Sequence, residues 1–405
     1  MKKQNFRRTK KTKNVFFFLI LLSVCACSKS TKLTTSDIDA TLDFSVKQSM
    51  LMYEQMKEYP SLLPRTFKDG ELVTATDSWW TSGFYPGLLW YLYEYSQADS
   101  VKNAATEMLS RVENQQYTTN NHDVGFMINC SFGNAFRLTG EKQYESVIIT
   151  AAKSLSTRYN ATVGCIKSWD NPKWQYPVIV DNMMNLELLF NAAKLSGDST
   201  FYKIAVSHAD TTMKYHYRAD GSSYHVVDYD TVHGGILERV THQGAFDESA
   251  WARGQAWGLY GYVLMYRETK DTKYLNHAVK IANFIINHPN LPTDKIPYWD
   301  FNAPNIPDES RDASAGAIIA SALIELSGYV DKQLSKKLLT VAETQLYSLS
   351  SSDYLAELGD NGNFILKNSV GSMPHNSEVD VPLTYADYYF IEALLRYKNR
   401  ATISN

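Results

Sequence analysis

Two aspartates stand where long apolar segments begin: Asp123 in "HDVGFM" (122–127) and Asp181 in "VDNMMN" (180–185). One aspartate in such a place reads as a helix N-cap, because its side chain can accept an orphan backbone N–H. Two of them, at the starts of consecutive packed helices, have a second use. The helix N-terminus favours the ionised carboxylate, whereas burial and a neighbouring carboxylate disfavour it, so the two pKa values can be driven apart. One group then stays charged and the other can deliver a proton. Around the pair the sequence collects groups suited to a polar ligand. His225, His233 and His242 fall on one long loop with Asp228, Asp230 and Asp247. Their spacing fits no zinc pattern, so the expectation is hydrogen bonding, with no metal and no organic cofactor. Arg253 in "ARGQAWG" lies inside an apolar segment and needs an anionic partner, either an internal carboxylate or a bound acid. Trp79, Trp80, Trp169, Trp174, Trp251, Trp257 and Trp299 nearly all fall at segment starts or in the loops before them, which suggests a stacking platform.

The frame that must position these residues is helical. Past residue 40, apolar residues recur at helical spacing and strand-like alternation is rare. A repeat is visible: "AFRLTGEKQYESVIITAAKSL", "AAKLSGDSTFYKIAVSHAD" and "MYRETKDTKYLNHAVKIANFI" each close one helix, turn, and open another. Segments starting near Gly83, Asp123, Val178, Ala252, Asp312 and Pro382 are apolar nearly all round, as enclosed helices are. Those starting near Asp43, Val101, Glu141, Ser199, Thr272 and Asp331 are amphipathic and face water. Six enclosed and six outer helices make an (α/α)6 barrel. The alternative is a helical-repeat solenoid, which the unequal repeat lengths disfavour. The extra residues, including a β-hairpin expected around "YHVVDYD" and Gly234-Gly235, precede inner helices and so emerge at one mouth.

The first residues belong to no fold. Lys2, Lys3, Arg7, Arg8, Lys10, Lys11 and Lys13 precede "VFFFLILLSV", a run right for a signal-peptide core, and Ala26 precedes Cys27. Residues 1–26 are expected to be a bacterial lipoprotein signal, with Cys27 lipidated, residues 27–40 a flexible tether and 41–405 a single catalytic barrel. Removing those seven cations takes Lys+Arg from 40 to 33 against 43 Asp+Glu, a net charge near −10. That excludes nucleic acid as the expected partner and leaves membrane attachment to the N-terminal lipid alone. The expected location is the periplasm or the outer membrane. Of four cysteines, Cys130 and Cys165 remain in the body, in no metal or redox spacing, and are expected as buried free thiols.

Six stretches in order resemble the unsaturated glucuronyl hydrolases, glycoside hydrolase family 88: "SWWTSGFYPGLLWYLY", "HDVGFM", "VDNMMNLELL", "THQGAFDESAWARGQAWGLYGY", "SRDASAGAIIASALIEL" and "DVPLTYADYYFIEALLR". The resemblance implies an (α/α)6 barrel that removes a Δ4,5-unsaturated uronic acid from the non-reducing end of lyase-generated oligosaccharides. It also implies that Asp181 is the general acid/base and Asp123 the second essential aspartate. Trp79 or Trp80, His122, Trp169, His225, His242, Gln243, Arg253 and Trp257 are implied as substrate contacts, and "GSMPHNSEVDVP" as a loop toward the neighbouring sugar. In this chemistry a proton is added at C4 of the C4=C5 bond and water at C5, with no glycosidic nucleophile. The alternatives are unsaturated rhamnogalacturonyl hydrolases of family 105, a sugar epimerase on the same barrel, and a non-catalytic glycan-binding lipoprotein.

Overall fold

The computed structural model describes residues 33–403. The signal segment, Cys27 and the start of the tether lie outside the described residues. The first helix, α1 (Thr35–Met56), begins inside the segment assigned to the tether. Thr34 accepts the Asp37 N–H while the Asp37 carboxylate accepts the Thr34 N–H, a reciprocal cap that satisfies two orphan donors. The barrel therefore starts about one and a half turns earlier than the residue-41 boundary.

Eleven more helices follow among the described residues. The inner set is α2 (Phe84–Ser96), α4 (Gly125–Gly133, continuing as Asn134–Thr139), α6 (Asn182–Ser196), α8 (Ala252–Thr269), α10 (Ala313–Leu326) and α12 (Thr384–Ile403). The outer set is α1, α3 (Asp99–Ser110), α5 (Lys142–Ser156), α7 (Ser199–Tyr215), α9 (Thr272–Asn287) and α11 (Lys332–Leu349). Each inner helix packs on the next, and α12 packs back on α2, so the ring is closed and the solenoid is ruled out. Composition explains which helix goes where. Every residue of α8 from Ala252 to Met265 is buried, as an enclosed helix requires, whereas α9 buries Tyr274, His277, Ala278, Ile281, Ala282, Ile285 and Ile286 along one face.

The strands are short and all lie in the gaps before inner helices. They are β1 (Leu63–Lys68) with β2 (Glu71–Ala75), β3 (Tyr159–Asn160) with β4 (Cys165–Ile166), the antiparallel sheet β5 (Pro177–Ile179), β6 (Val226–Tyr229) and β7 (Ile236–Val240), and β8 (Ser369–Ser372) with β9 (Ser377–Val381). The expected hairpin is β6–β7, with Val227 opposite Arg239. Two starts were misplaced: α1 begins at Thr35 rather than near Asp43, and Val178 opens no helix but lies in β5, paired with Val227, with α6 beginning at Asn182. Three apolar residues with no polar neighbour in register carry no period, so a buried strand and a buried helix turn look alike there.

The other departure is in α4. Its first nine residues, Gly125–Gly133, are π-helical, the wide i→i+5 form that is found mostly at functional sites. A Cβ on Gly125 would stand 2.5 Å from Asn185 Cα, so the close approach of α4 to α6 requires glycine. Cys130 and Cys165 are both buried and free.

Candidate active site

The mouth holds a cavity of about 310 Å³ walled by Trp79, Trp80, His122, Asp123, Trp169, Asp181, His242, Gln243 and Arg253, all expected from sequence, by Ser372, His375 and Ser377 of the expected "GSMPHNSEVDVP" loop, and by Phe126 and Ile179, which were not singled out. Asp123 immediately precedes α4 and Asp181 occupies the N-cap of α6. Asp181 makes no capping hydrogen bond with its side chain, so the capping explanation fails for it. Both carboxyls are pushed up to about 7. For Asp123 the main cause is burial, then the charge of Asp181, opposed by Arg158. For Asp181 it is burial, opposed by Arg253 and by the Trp257 indole. The charge of Asp181 helps raise Asp123, so ionisation of one carboxyl disfavours ionisation of the other.

Each aspartate faces a histidine whose tautomer the hydrogen bonds determine. His225 Nδ1 accepts the backbone N–H of His242 and of Gln243, each at 3.1 Å, so its proton is on Nε2, 3.7 Å from Asp181 Oδ2. On the other side, Asn185 Oδ1 accepts the Phe126 N–H at 2.8 Å, which turns its amide nitrogen toward His122 Nδ1 at 3.4 Å. The proton of His122 is then on Nε2, 3.4 Å from Asp123 Oδ1. Burial holds His122 at a pKa of about 3 and His225 well below its ordinary value, so both are neutral, and His225 Nε2 and Asp181 Oδ2 are each left without a hydrogen-bond partner.

Three expected contacts stand differently from the others in the structure. His225 is 3% exposed and does not line the cavity; its Nε2 lies 3.7 Å from Asp181 Oδ2. Trp257 is completely buried against Phe126 and Tyr389, beneath the cavity rather than in its wall. Arg253 reaches the wall, but its terminal nitrogens are engaged: one with Asp312 at 3.2 Å and with the Val370 carbonyl, the other with the Gly371 carbonyl at 2.5 Å. Its Nε is left without a partner, so Arg253 both lines the cavity and fixes β8 at the mouth. Gln243 donates to the same Gly371 carbonyl at 2.9 Å. His233 is outside the site, exposed and paired with Asp230 at 3.0 Å, and the Asp228 carboxylate accepts the Gln175 and Tyr176 N–H groups. Asn185 was missed although it sits four residues after Asp181 on the same helical face, a readable signal. His375, its ring centre 4.4 Å from that of His242, was not named individually, although its loop was expected at the mouth from the resemblance.

A larger cavity of about 700 Å³ opens among the last turns of the inner helices. Its charges satisfy one another, Arg137 with Glu94, Lys194 with Glu268, Arg267 with Glu187 and Arg396 with Glu392. It has no raised carboxyl pair of the mouth's kind at its centre, and the mouth cavity is the candidate site.

The sequence profile of Glycosyl Hydrolase Family 88 matches residues 52–399. The chain belongs to glycoside hydrolase family 88. This family 88 glycosidase is 49% identical over 323 residues to an unsaturated glucuronyl hydrolase of Formosa agariphila, covering 79% of this chain and 80% of that one. It superposes on the crystal structure of an unsaturated glucuronyl hydrolase specific for heparin with a TM-score of 0.89 at 47% identity, over 91% of this chain and 99% of the other. An Asp-to-Asn variant of the Streptococcus agalactiae enzyme complexed with dGlcA-GalNAc6S matches at TM-score 0.78 and 29% identity, over 91% and 93%. The family 88 barrel is thus the frame of the mouth.

Proposed function

We propose that this family 88 enzyme removes a Δ4,5-unsaturated glucuronic acid from the non-reducing end of polysaccharide-lyase products. Asp181 is the proton donor and Asp123 its ionised partner. The observation that carries the reading is a pair of buried carboxyls, both pushed up to about 7, in one cavity of sugar size. Protonated Asp181 gives its proton to C4 of the C4=C5 vinyl ether. The carboxylate left behind takes a proton from water as the oxygen adds at C5, so one residue serves as acid and then base. The C5 hemiketal opens and rearranges, releasing the remaining sugar. Charge that develops on the ring is met by Asp123, and the neutral His122 and His225 rings beside the two carboxylates add no positive charge that would hold the proton back.

Turnover of a panel of unsaturated disaccharides, heparin-derived ones first because one close structural relative is heparin-specific, is followed by loss of the double bond's ultraviolet absorbance. In heavy, isotopically labelled water the deuterium is expected at C4 and the water oxygen at C5. Label at the anomeric carbon, or cleavage of the saturated disaccharide, overturns the mechanism.

Export is part of the same reading. The basic N-terminus, the apolar run and Cys27 support a lipoprotein held in the periplasm or on the outer membrane by its lipid. Cys27→Ala is expected to move the protein from the detergent-extracted membrane fraction to the soluble one; an unchanged fraction refutes the anchor.

A further inference from the structure

Behind one wall of the cavity is an ion pair that the proton transfers do not use. Arg65, on β1, donates from Nε to Glu378 Oε1, on β9, at 2.6 Å. Its guanidinium carbon also lies 3.9 Å from the centre of the Trp79 ring. Trp79 lines the cavity, and so does Ser377, the residue before Glu378. The two charged side chains are only 25% and 12% exposed, so solvent and salt screen them weakly. A planar guanidinium can stack on an indole and hold a carboxylate at its edge at once, which an ammonium cannot.

The hairpin that carries Glu378 is not at rest. Asn376, Glu378 and Asp380 have φ of +47°, +56° and +55°, a left-handed region that residues with a Cβ keep only where contacts hold them. Beside its ladder with β8, the hairpin is held by β1: Arg65 on Glu378, and Thr66 Oγ1 on the Pro382 carbonyl at 2.7 Å. Trp79 has a further property. Its indole Nε1 is buried without a hydrogen-bond partner, leaving a donor for a ligand oxygen.

We propose that the Arg65–Glu378 pair positions the substrate's wall: it locks the Trp79 ring and Ser377 together against the sugar and sets how tightly the oligosaccharide binds, without touching the reacting atoms. The inference rests on the cavity being the sugar site. Both residues are positioning residues, and the effect belongs to binding.

The test uses Glu378→Gln, nearly isosteric, and Arg65→Leu and Arg65→Lys, each with the full chain and an accepted unsaturated disaccharide. Glu378→Gln and Arg65→Leu are expected to raise KM roughly tenfold, the size of one lost charge-assisted hydrogen bond, with kcat changed less than about twofold. Arg65→Lys falls between, since it keeps the charge and loses the flat stack. The Glu378→Gln/Arg65→Leu double variant is no worse than either single one, because each removes the same interaction. In an Asp181→Asn background, titration with the intact disaccharide shows the same tenfold weakening of Kd on adding Glu378→Gln. A fall in Tm with KM and Kd unchanged makes the pair scaffold and overturns the proposal. A kcat that falls as far as kcat/KM puts the pair in the chemistry and overturns it too. If Asp181→Asn alone still turns over the disaccharide, the reading of the cavity is at fault; if it is inactive and its Kd ignores Glu378→Gln, only the clamp is.

Discussion

Asp181 and Asp123 are held in the folded protein with carboxyls that prefer to be neutral, and that preference has a stability consequence as well as a catalytic one. Their folded pKa values, about 7, lie above the ordinary 3.8. The folded chain therefore binds more protons than the unfolded chain between about pH 4 and 7, and stability is full below that window and lost as pH rises through it. Asp181→Asn removes one such group. It is expected to cut kcat by about 10²–10⁴-fold, the contribution of a general acid/base, while raising Tm at pH 8 and leaving it unchanged at pH 4. Asp387, also pushed up to about 7 by burial, is common to both proteins and cancels from the comparison. Lower stability of the Asn variant at pH 8 would contradict the assignment. For wild-type turnover, the alkaline limb of kcat/KM is expected near pH 7, as Asp181 loses its proton, and its acid limb belongs to the second carboxyl. No limb comes from His122 or His225, which burial keeps neutral throughout. The aspartates were legible in the sequence because a lone charge at the start of an apolar helix has few uses. The part played by His225 was not, because its distinction from a substrate contact is a tautomer imposed by two backbone N–H groups from seventeen and eighteen residues away.

Among the elements, α4 and α6 matter most, since they carry one carboxylate each and touch at Gly125. Gly125→Ala would drive a methyl group against Asn185, at Cα and at Oδ1, both 2.5 Å away. The contact cannot relax by rotating a side chain alone. Overpacking of this kind costs roughly 1–3 kcal/mol, and the displaced Asn185 would release both the Phe126 N–H and His122. A Tm drop together with a kcat loss of at least about tenfold, the scale of a misplaced catalytic group, is expected from thermal denaturation and steady-state kinetics on the same sample. Full activity in the folded fraction would mean that the helix spacing is not set here. Inner and outer helices were readable because burial all round and burial on one face leave different patterns. The π-helical opening of α4 was not: "GFMINCSFG" is buried at Gly125–Ile128 and Cys130–Phe132, and a segment apolar on nearly every side has no phase from which to tell i→i+4 from i→i+5 bonding.

At the scale of the whole barrel, the two ends divide the work. One is lengthened by strands and loops and holds the chemistry; at the other, Arg267 links Glu187 and Glu325, and Arg396 links Glu325 and Glu392 across four inner helices. Arg267→Met is expected to lower stability by roughly 1–3 kcal/mol, the cost of leaving partly buried carboxylates without their donor, with KM and kcat unaltered; a change in KM would couple the two ends. The ring itself has one more property with a temporal meaning. Its closing contact joins α2 to α12, and these are the first and the last inner helices in the chain. A ribosome releases the chain N-terminus first, so the wholly apolar surface from Phe84 to Leu92 must wait for Thr384 and its neighbours to be synthesised before it has its partner. Five-sixths of a barrel is not a smaller barrel but an open arc with two sticky edges. Until the chain is complete, that arc leaves part of the apolar face of α2 without its closing partner, α12, and open to clumping.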